Sequence, residues 1–198
     1  MAHIDYYFST ISPYTYLAGT RMEAVAEKHG ATITYKPLDI VALFGRTGGT
    51  PPKDRHPSRQ EMRAQELVRQ AKKLGMPFNL KPAHWPTNPA PSSYAFIAAV
   101  QAGGDLGTLV ASFTRACWAE DKDIAQDDVI RACLERAGFD PALADSGLLA
   151  GAEAYAQNLE DAVSAGAFGA PFYITDGDVR FWGQDRIADL DLHLAGEL

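Results

Sequence analysis

The strand-like residues of this chain stand at its two ends, with a long helical stretch between them. His3 to Phe8 is aromatic and β-branched enough for a buried strand. A helix then opens at Ser12-Pro13. Serine is a favoured N-cap, and proline at the first helical position loses only an N–H that has no partner there. Tyr14, Leu17, Ala18, Met22 and Val25 recur at three or four residues and give that helix one apolar face, which Gly30 ends. Thr32 to Tyr35 reads as a second strand. Near the other end, Phe172 to Thr175 and Val179 to Trp182 read as strands joined by a turn at Asp176-Gly177, and a terminal helix runs from Gln184. The block between holds a Gly/Pro-rich loop, Phe44 to Pro52, and a proline-punctuated stretch from Pro77 to Pro91. Helices are expected over 58–74, 92–102, 106–119, 126–137 and 149–165. The order is βαβ, a helical insertion, then ββα.

A chain of 198 residues that is 46% hydrophobic is long enough for one full core, or for one domain carrying a large insertion. No run approaches the roughly 20 apolar residues of a membrane helix. The opening MAHIDYYFST lacks the basic and apolar regions of a secretory signal, so the expected location is the cytoplasm. A net charge of −7 argues against an extended nucleic-acid surface. The main basic cluster, Lys53 to Arg63, is short and contains Asp54 and Glu61; it reads as a solvated loop and helix face or as a local anion pocket. Cys117 and Cys133 form neither a disulfide framework nor a CxxC pair, and inside Ala-rich helices they read as buried, inert thiols. The five histidines show no metal-ligand spacing, and the chain has no glycine-rich nucleotide loop and no Gly-x-Ser-x-Gly elbow.

Three short segments carry possible chemistry. Ser12 lies where a strand feeds a helix, the position at which a thiolate is stabilised. With Ser-Pro-Tyr-Thr where a redox protein would have Cys-x-x-Cys, the chain cannot form its own disulfide there. Ser12 is then either a plain N-cap or the donor to a thiolate that a ligand brings. Ala170-Pro171 precedes a strand and is a candidate cis peptide whose Ala170 backbone N–H and C=O are open to a peptide-like ligand; the alternative is an ordinary trans proline at a strand start. In Trp182 to Arg186, Asp185 suits a helix cap, and Gln184 with Asp185 suits a grip on the ammonium and carboxylate of a small peptide.

Two halves of one mixed sheet interrupted by helices resemble the thioredoxin fold, with residues 1–42 and 166–198 as the sheet domain and 43–165 as an inserted all-helical domain. The order of Phe8-Ser-Thr-Ile-Ser12-Pro-Tyr-Thr-Tyr-Leu17, Thr47-Gly-Gly-Thr-Pro-Pro52, Gly75-Met-Pro77, Gly-Ala-Pro171-Phe and Trp182-Gly-Gln-Asp-Arg186 resembles the 2-hydroxychromene-2-carboxylate isomerase family over nearly the whole chain. That family is similar to kappa-class glutathione transferases and, more distantly, to DsbA-type proteins. The resemblance implies glutathione as cofactor and reversible thiolate addition as the means of isomerising 2-hydroxychromene-2-carboxylate, or a similar aromatic ring-cleavage product. It implies Ser12 as the catalytic residue beside the thiol, and Ala170 and Pro171 against the cysteinyl part. Trp182, Gly183, Gln184 and Asp185 would hold the γ-glutamyl end, and Asp54, Arg55 and Trp85 the substrate, a small aromatic carboxylate. Ala-rich helical faces and family habit imply a homodimer, while charge and composition point to neither nucleic acid nor membrane as partner. Two positions depart from the family pattern: Leu43-Phe44 stands where isomerases can carry a lysine, and Gly49 where relatives often have Asn. The alternatives are a kappa-like transferase and a thioredoxin-fold module that binds peptide or glutathione without chemistry.

Overall fold

The computed structural model describes residues 2–146 and 148–198. Met1 and Gly147, which the expected segments include, lie outside the described residues. Strand β1 (His3–Phe8) pairs in parallel with β2 (Thr32–Pro37) and antiparallel with β3 (Phe172–Thr175), which turns back into the edge strand β4 (Val179–Trp182). The sheet order is β2-β1-β3-β4, the mixed sheet of a thioredoxin-like α/β fold. Central β1 is buried at Ile4, Tyr6, Tyr7 and Phe8, whereas β4 keeps only Phe181 half-covered, as an edge strand does.

The first helix is not continuous. Helix α1 (Pro13–Ala18) stops at Gly19, whose φ of 56° turns the chain, and α2 (Arg21–His29) starts afresh after Thr20. Arg21 lies across the break and donates to the carbonyls of Leu17 and Ala18, which would otherwise be orphaned at a helix end. The apolar periodicity runs through both helices, so the sequence pattern hides the interruption.

Between β2 and β3 lie six α-helices among the described residues, the first of which starts three residues before the expected insertion. They are α3 (Ile40–Thr47), α4 (Pro57–Leu74), α5 (Ala90–Ala102), α6 (Leu106–Trp118), α7 (Asp127–Arg136) and α8 (Leu148–Ser164). Helix α3 replaces the front half of the expected loop. Asp39 caps it, its Oδ1 accepting from Val41 N at 2.9 Å and Ala42 N at 3.1 Å, and Gly48 ends it at a φ of 77°. Helix α9 (Ile187–Leu194) closes the chain after a single 3-10 turn at Gln184–Arg186.

The insertion shares the core of the sheet. Phe96 of α5 meets Phe8 edge-on at 5.1 Å and Tyr35 at 5.7 Å, and Asn158 of α8 donates to the Pro37 carbonyl at 2.9 Å. The proline-rich stretch and the end of α6 are each tied to the segment after β1 by an indole. Trp85 Nε1 and Trp118 Nε1 both donate to the Ile11 carbonyl, at 3.3 and 3.2 Å. These bonds fix the backbone immediately before Ser12. Among the described residues no helix is long and apolar enough to cross a membrane.

Candidate active site

A cleft of about 750 Å³ opens over the start of α1 and runs between the β3–β4 end of the sheet and helices α3 and α4. Ser12 lies at its floor, 6% exposed. Its hydroxyl oxygen accepts from Thr15 N at 3.2 Å, a helix N-cap, and donates to the Ala170 carbonyl at 3.2 Å. The cap is therefore present and the side chain still borders the cleft. The Ala170–Pro171 bond is cis, as is Trp85–Pro86. The expectation of a free Ala170 carbonyl needs correcting, since Ser12 occupies it. Helix α1 is also only six residues long, so its dipole is that of one and a half turns, and the electrostatics near Ser12 are local.

The structure brings Ser12, Ala170, Trp182, Gly183, Asp185, Arg55 and Trp85 into one lining. Trp182 is 53% exposed and stands against Gly169; a Cβ there would overlap the indole nitrogen. Gly183 adopts a φ of 110°, and the Asp185 carboxylate folds back over it so closely that a Cβ would come within 2.6 Å of Oδ1. Among the described residues Asp185 caps no helix, and its nearest cation is Arg186 at 3.8 Å.

Three expected residues do not reach the cleft. Pro171 is buried beneath it, its carbonyl accepting from Gly183 N at 3.0 Å, which fixes the turn carrying Trp182 and Asp185. Gln184, 3% exposed, turns inward and accepts from the Arg21 guanidinium. Asp54 is exposed in the short 3-10 turn at Pro52–Asp54 and does not line the cleft.

Sequence reasoning missed Tyr14, Phe44 and Arg63, which also line it. Arg63 lies four residues before the buried Leu67 of α4 and eight before Ala71, so helical spacing places it on the inward face. Its guanidinium lies over the Tyr14 ring at 5.7 Å, and that of Arg55 over the Phe44 ring at 5.6 Å. Burial lowers the pKa of both guanidinium groups and raises that of the Tyr14 hydroxyl. The two departures noted in the sequence also explain each other. The Phe44 ring covers Gly49, where a Cβ would come within 2.7 Å of the ring, so a larger residue at 49 would displace the ring on which Arg55 sits. Arg46 is bound by both oxygens of Glu160 and does not line the cleft. Cys117 and Cys133 are free and buried, and burial pushes the Cys117 thiol up to about 12.

Among the described residues four cations, Lys53, Arg55, Arg63 and Arg186, line the cleft against one acid, Asp185, in a chain whose net charge is −7. That local reversal of sign focuses a positive potential into a largely apolar cavity. Such a site suits an anion that carries a hydrophobic body.

The DSBA-like thioredoxin domain family matches residues 3–195. A 2-hydroxychromene-2-carboxylate isomerase from Sphingobium xenophagum is 31% identical over 196 residues, covering 96% of this chain and 97% of the relative. A solved 2-hydroxychromene-2-carboxylate isomerase superposes with a TM-score of 0.81 at 24% identity, over 98% of this chain and 95% of that one. The cytosolic disulfide reductase DsbM from Pseudomonas aeruginosa, solved with GSH, gives a TM-score of 0.66 at 18% identity, over 98% of this chain and 99% of that one. Match in sequence over nearly its full length, on a DsbA-like scaffold with serine at the helix start, shows that the chain belongs to the 2-hydroxychromene-2-carboxylate isomerase family.

Proposed function

We propose that the protein is a glutathione-dependent isomerase of 2-hydroxychromene-2-carboxylate or a closely similar aromatic acid. The observation that carries this reading is Ser12, joined to the backbone of Ala170 at the floor of a cationic, aromatic-walled cleft. No cysteine stands where the redox partner of a disulfide enzyme would be, so the reactive sulfur has to arrive with a ligand.

The residues present fit glutathione. Its two carboxylates and one ammonium match a lining of several cations and a single acid, Asp185. Trp182, Gly183 and Asp185 would hold the γ-glutamyl end, and Ala170 the cysteinyl part. Pro171 and Gln184 contribute from beneath, by fixing the turn and the start of α9. When bound, glutathione would supply a thiolate for reversible addition to the conjugated double bond, released again as thiolate when the alkene is restored.

The protein's own part follows from the Ser12 hydroxyl. It now donates to the Ala170 carbonyl; turned toward a ligand sulfur it stabilises the ionised form, since a hydrogen bond to a charged group favours that form. The same rotation releases the Ala170 carbonyl to accept from a ligand N–H, so one internal bond is exchanged for two to the ligand. Trp85 presents its ring to the cleft while its Nε1 stays bonded to Ile11, giving an aromatic substrate a fixed wall. Arg55 draws the substrate carboxylate, and the apolar lining limits water around the reacting atoms.

The test is conversion of trans-o-hydroxybenzylidenepyruvate to 2-hydroxychromene-2-carboxylate, followed in the ultraviolet with catalytic reduced glutathione. The expected rate saturates in glutathione, none of which is consumed. A persistent glutathione conjugate would instead assign a transferase, and no conversion at any glutathione concentration would overturn the reading. The homodimer and the cytoplasmic location belong to the same proposal, and sedimentation of the purified protein tests the first.

A further inference from the structure

The arginines of this protein divide by what they hold. Seven of them, Arg46, Arg69, Arg115, Arg131, Arg136, Arg180 and Arg186, lie within 4 Å of a carboxylate. Arg21 is bonded to backbone carbonyls and to Gln184, and Arg59 is exposed. Arg55 and Arg63 are both half-buried, both line the cleft, and among the described residues neither has a carboxylate partner. Arg55 commits Nε to the Thr50 carbonyl at 2.7 Å, which leaves its terminal nitrogens open. Arg63 makes no hydrogen bond among the described residues; its only partner is the Tyr14 ring.

Half-buried cations without an anion are costly, and like charges facing one cavity add to that cost. Arg55 is one of the groups that push the Arg63 guanidinium down. A seat on an aromatic ring offsets part of the lost hydration and leaves the donor edge of each guanidinium available, a geometry that suits a planar two-oxygen anion.

We propose that Arg63 is a specificity-determining residue, forming with Arg55 one anion subsite that binds the carboxylate of an aryl 2-oxo acid whose ring rests on Trp85. The identity of the acid rests on the reading given under Proposed function; the subsite itself rests on the two arginines. Substrate analogues in which the carboxylate is masked therefore bind more weakly, by the loss of this pairing. Tyr14 and Phe44 serve as the seats that hold the two guanidinium groups in place.

Binding of trans-benzylidenepyruvate and of its methyl ester to the glutathione-free protein, followed by quenching of tryptophan fluorescence, tests this without turnover. The acid should bind at least about tenfold more tightly than the ester, as loss of a charge-assisted pair requires, and added salt should weaken only the acid. Arg63→Gln and Arg55→Gln should each weaken the acid about tenfold or more and leave the ester unchanged, with Arg63→Lys intermediate. Arg59→Gln, the same charge change on the exposed neighbour, should leave both affinities within about twofold. The far-ultraviolet circular dichroism of every variant checks that it is folded. Acid affinity unchanged in Arg63→Gln, or lost equally in Arg59→Gln, overturns the subsite. Arg63-dependent binding in a protein that fails to isomerise would retain the subsite while removing the glutathione reading, so the two failures are distinct.

Discussion

Replacing Ser12 by alanine removes two hydrogen bonds at once, and the structure gives the size of each loss. The cap to Thr15 N contributes about 1 kcal/mol, the usual cost of deleting a serine N-cap. The Ala170 carbonyl, in a residue 8% exposed, loses its donor, at a cost of about 1–3 kcal/mol. Together Ser12→Ala should cost about 2–4 kcal/mol, a fall in Tm of about 4–16 °C for a chain of this size. Catalysis should change by a separate route. Loss of a hydrogen bond to an ionised sulfur removes about 1.5–3 kcal/mol of stabilisation from the thiolate. The bound thiol pKa then rises by about one to two pH units, and kcat/KM near neutral pH falls about tenfold to a hundredfold. Since the defect lies in ionisation, activity should climb as pH is raised and approach the wild-type rate in alkaline buffer. Thermal melting and a pH profile of kcat/KM measure the two effects. A stability loss of about 1 kcal/mol with an unchanged profile would reduce Ser12 to a helix cap and refute the reasoning.

Other consequences follow from single contacts. Glu23 is half-buried against α6, its Oε1 accepting from Tyr35 at 3.2 Å and its Oε2 without a partner among the described residues; burial pushes its carboxyl from 4.5 up to about 7. A raised carboxyl pKa means that the folded state holds the proton longer than the unfolded one, so stability falls as pH rises from 4.5 to about 7, by about 3 kcal/mol. Glu23→Gln should therefore be more stable than wild type by about that amount at pH 8 and should lose the advantage toward pH 5. A pH-independent difference in chemical denaturation would contradict this. Gly169→Ala should displace Trp182 from its seat and weaken glutathione binding by about tenfold or more while far-ultraviolet dichroism is retained, measured by ligand titration. Ser12→Cys, placed in the same cleft, should form a mixed disulfide with oxidised glutathione, detectable by mass; a folded variant that does not form it counts against the sulfur lying near residue 12.

The strands were legible because each is an aromatic or β-branched run bounded by turn residues, from His3–Phe8 to Val179–Trp182. The insertion was legible as helices because alanine and leucine recur at helical spacing. Two features were not. The break at Gly19 is concealed because Leu17, Met22 and Ala26 are buried on either side of it, so the apolar pattern continues while the hydrogen bonding stops. Helix α3 was concealed by the glycines and prolines that follow it, although Asp39 carries its start signal. Within the site, Ser12, Ala170 and Trp182 could be named because their order along the chain is characteristic. Gln184 faces Arg21 because the 3-10 turn rotates it inward, a direction that spacing alone does not specify. Arg63 escaped notice because a basic residue in a charged helix reads as solvated surface; only its register with Leu67 sets it on the inner face.

The central claim is that the reactive sulfur is borrowed, and calorimetric titration with reduced glutathione tests it most directly. Wild-type protein should show saturable binding with a stoichiometry of one per chain, weakened at least about tenfold in Asp185→Ala, which removes the one acid lining the cleft among the described residues. Absence of binding up to several millimolar, or equal binding in Asp185→Ala, would contradict the account. The first outcome would leave the thioredoxin-like fold standing without a nucleophile to put in its cleft.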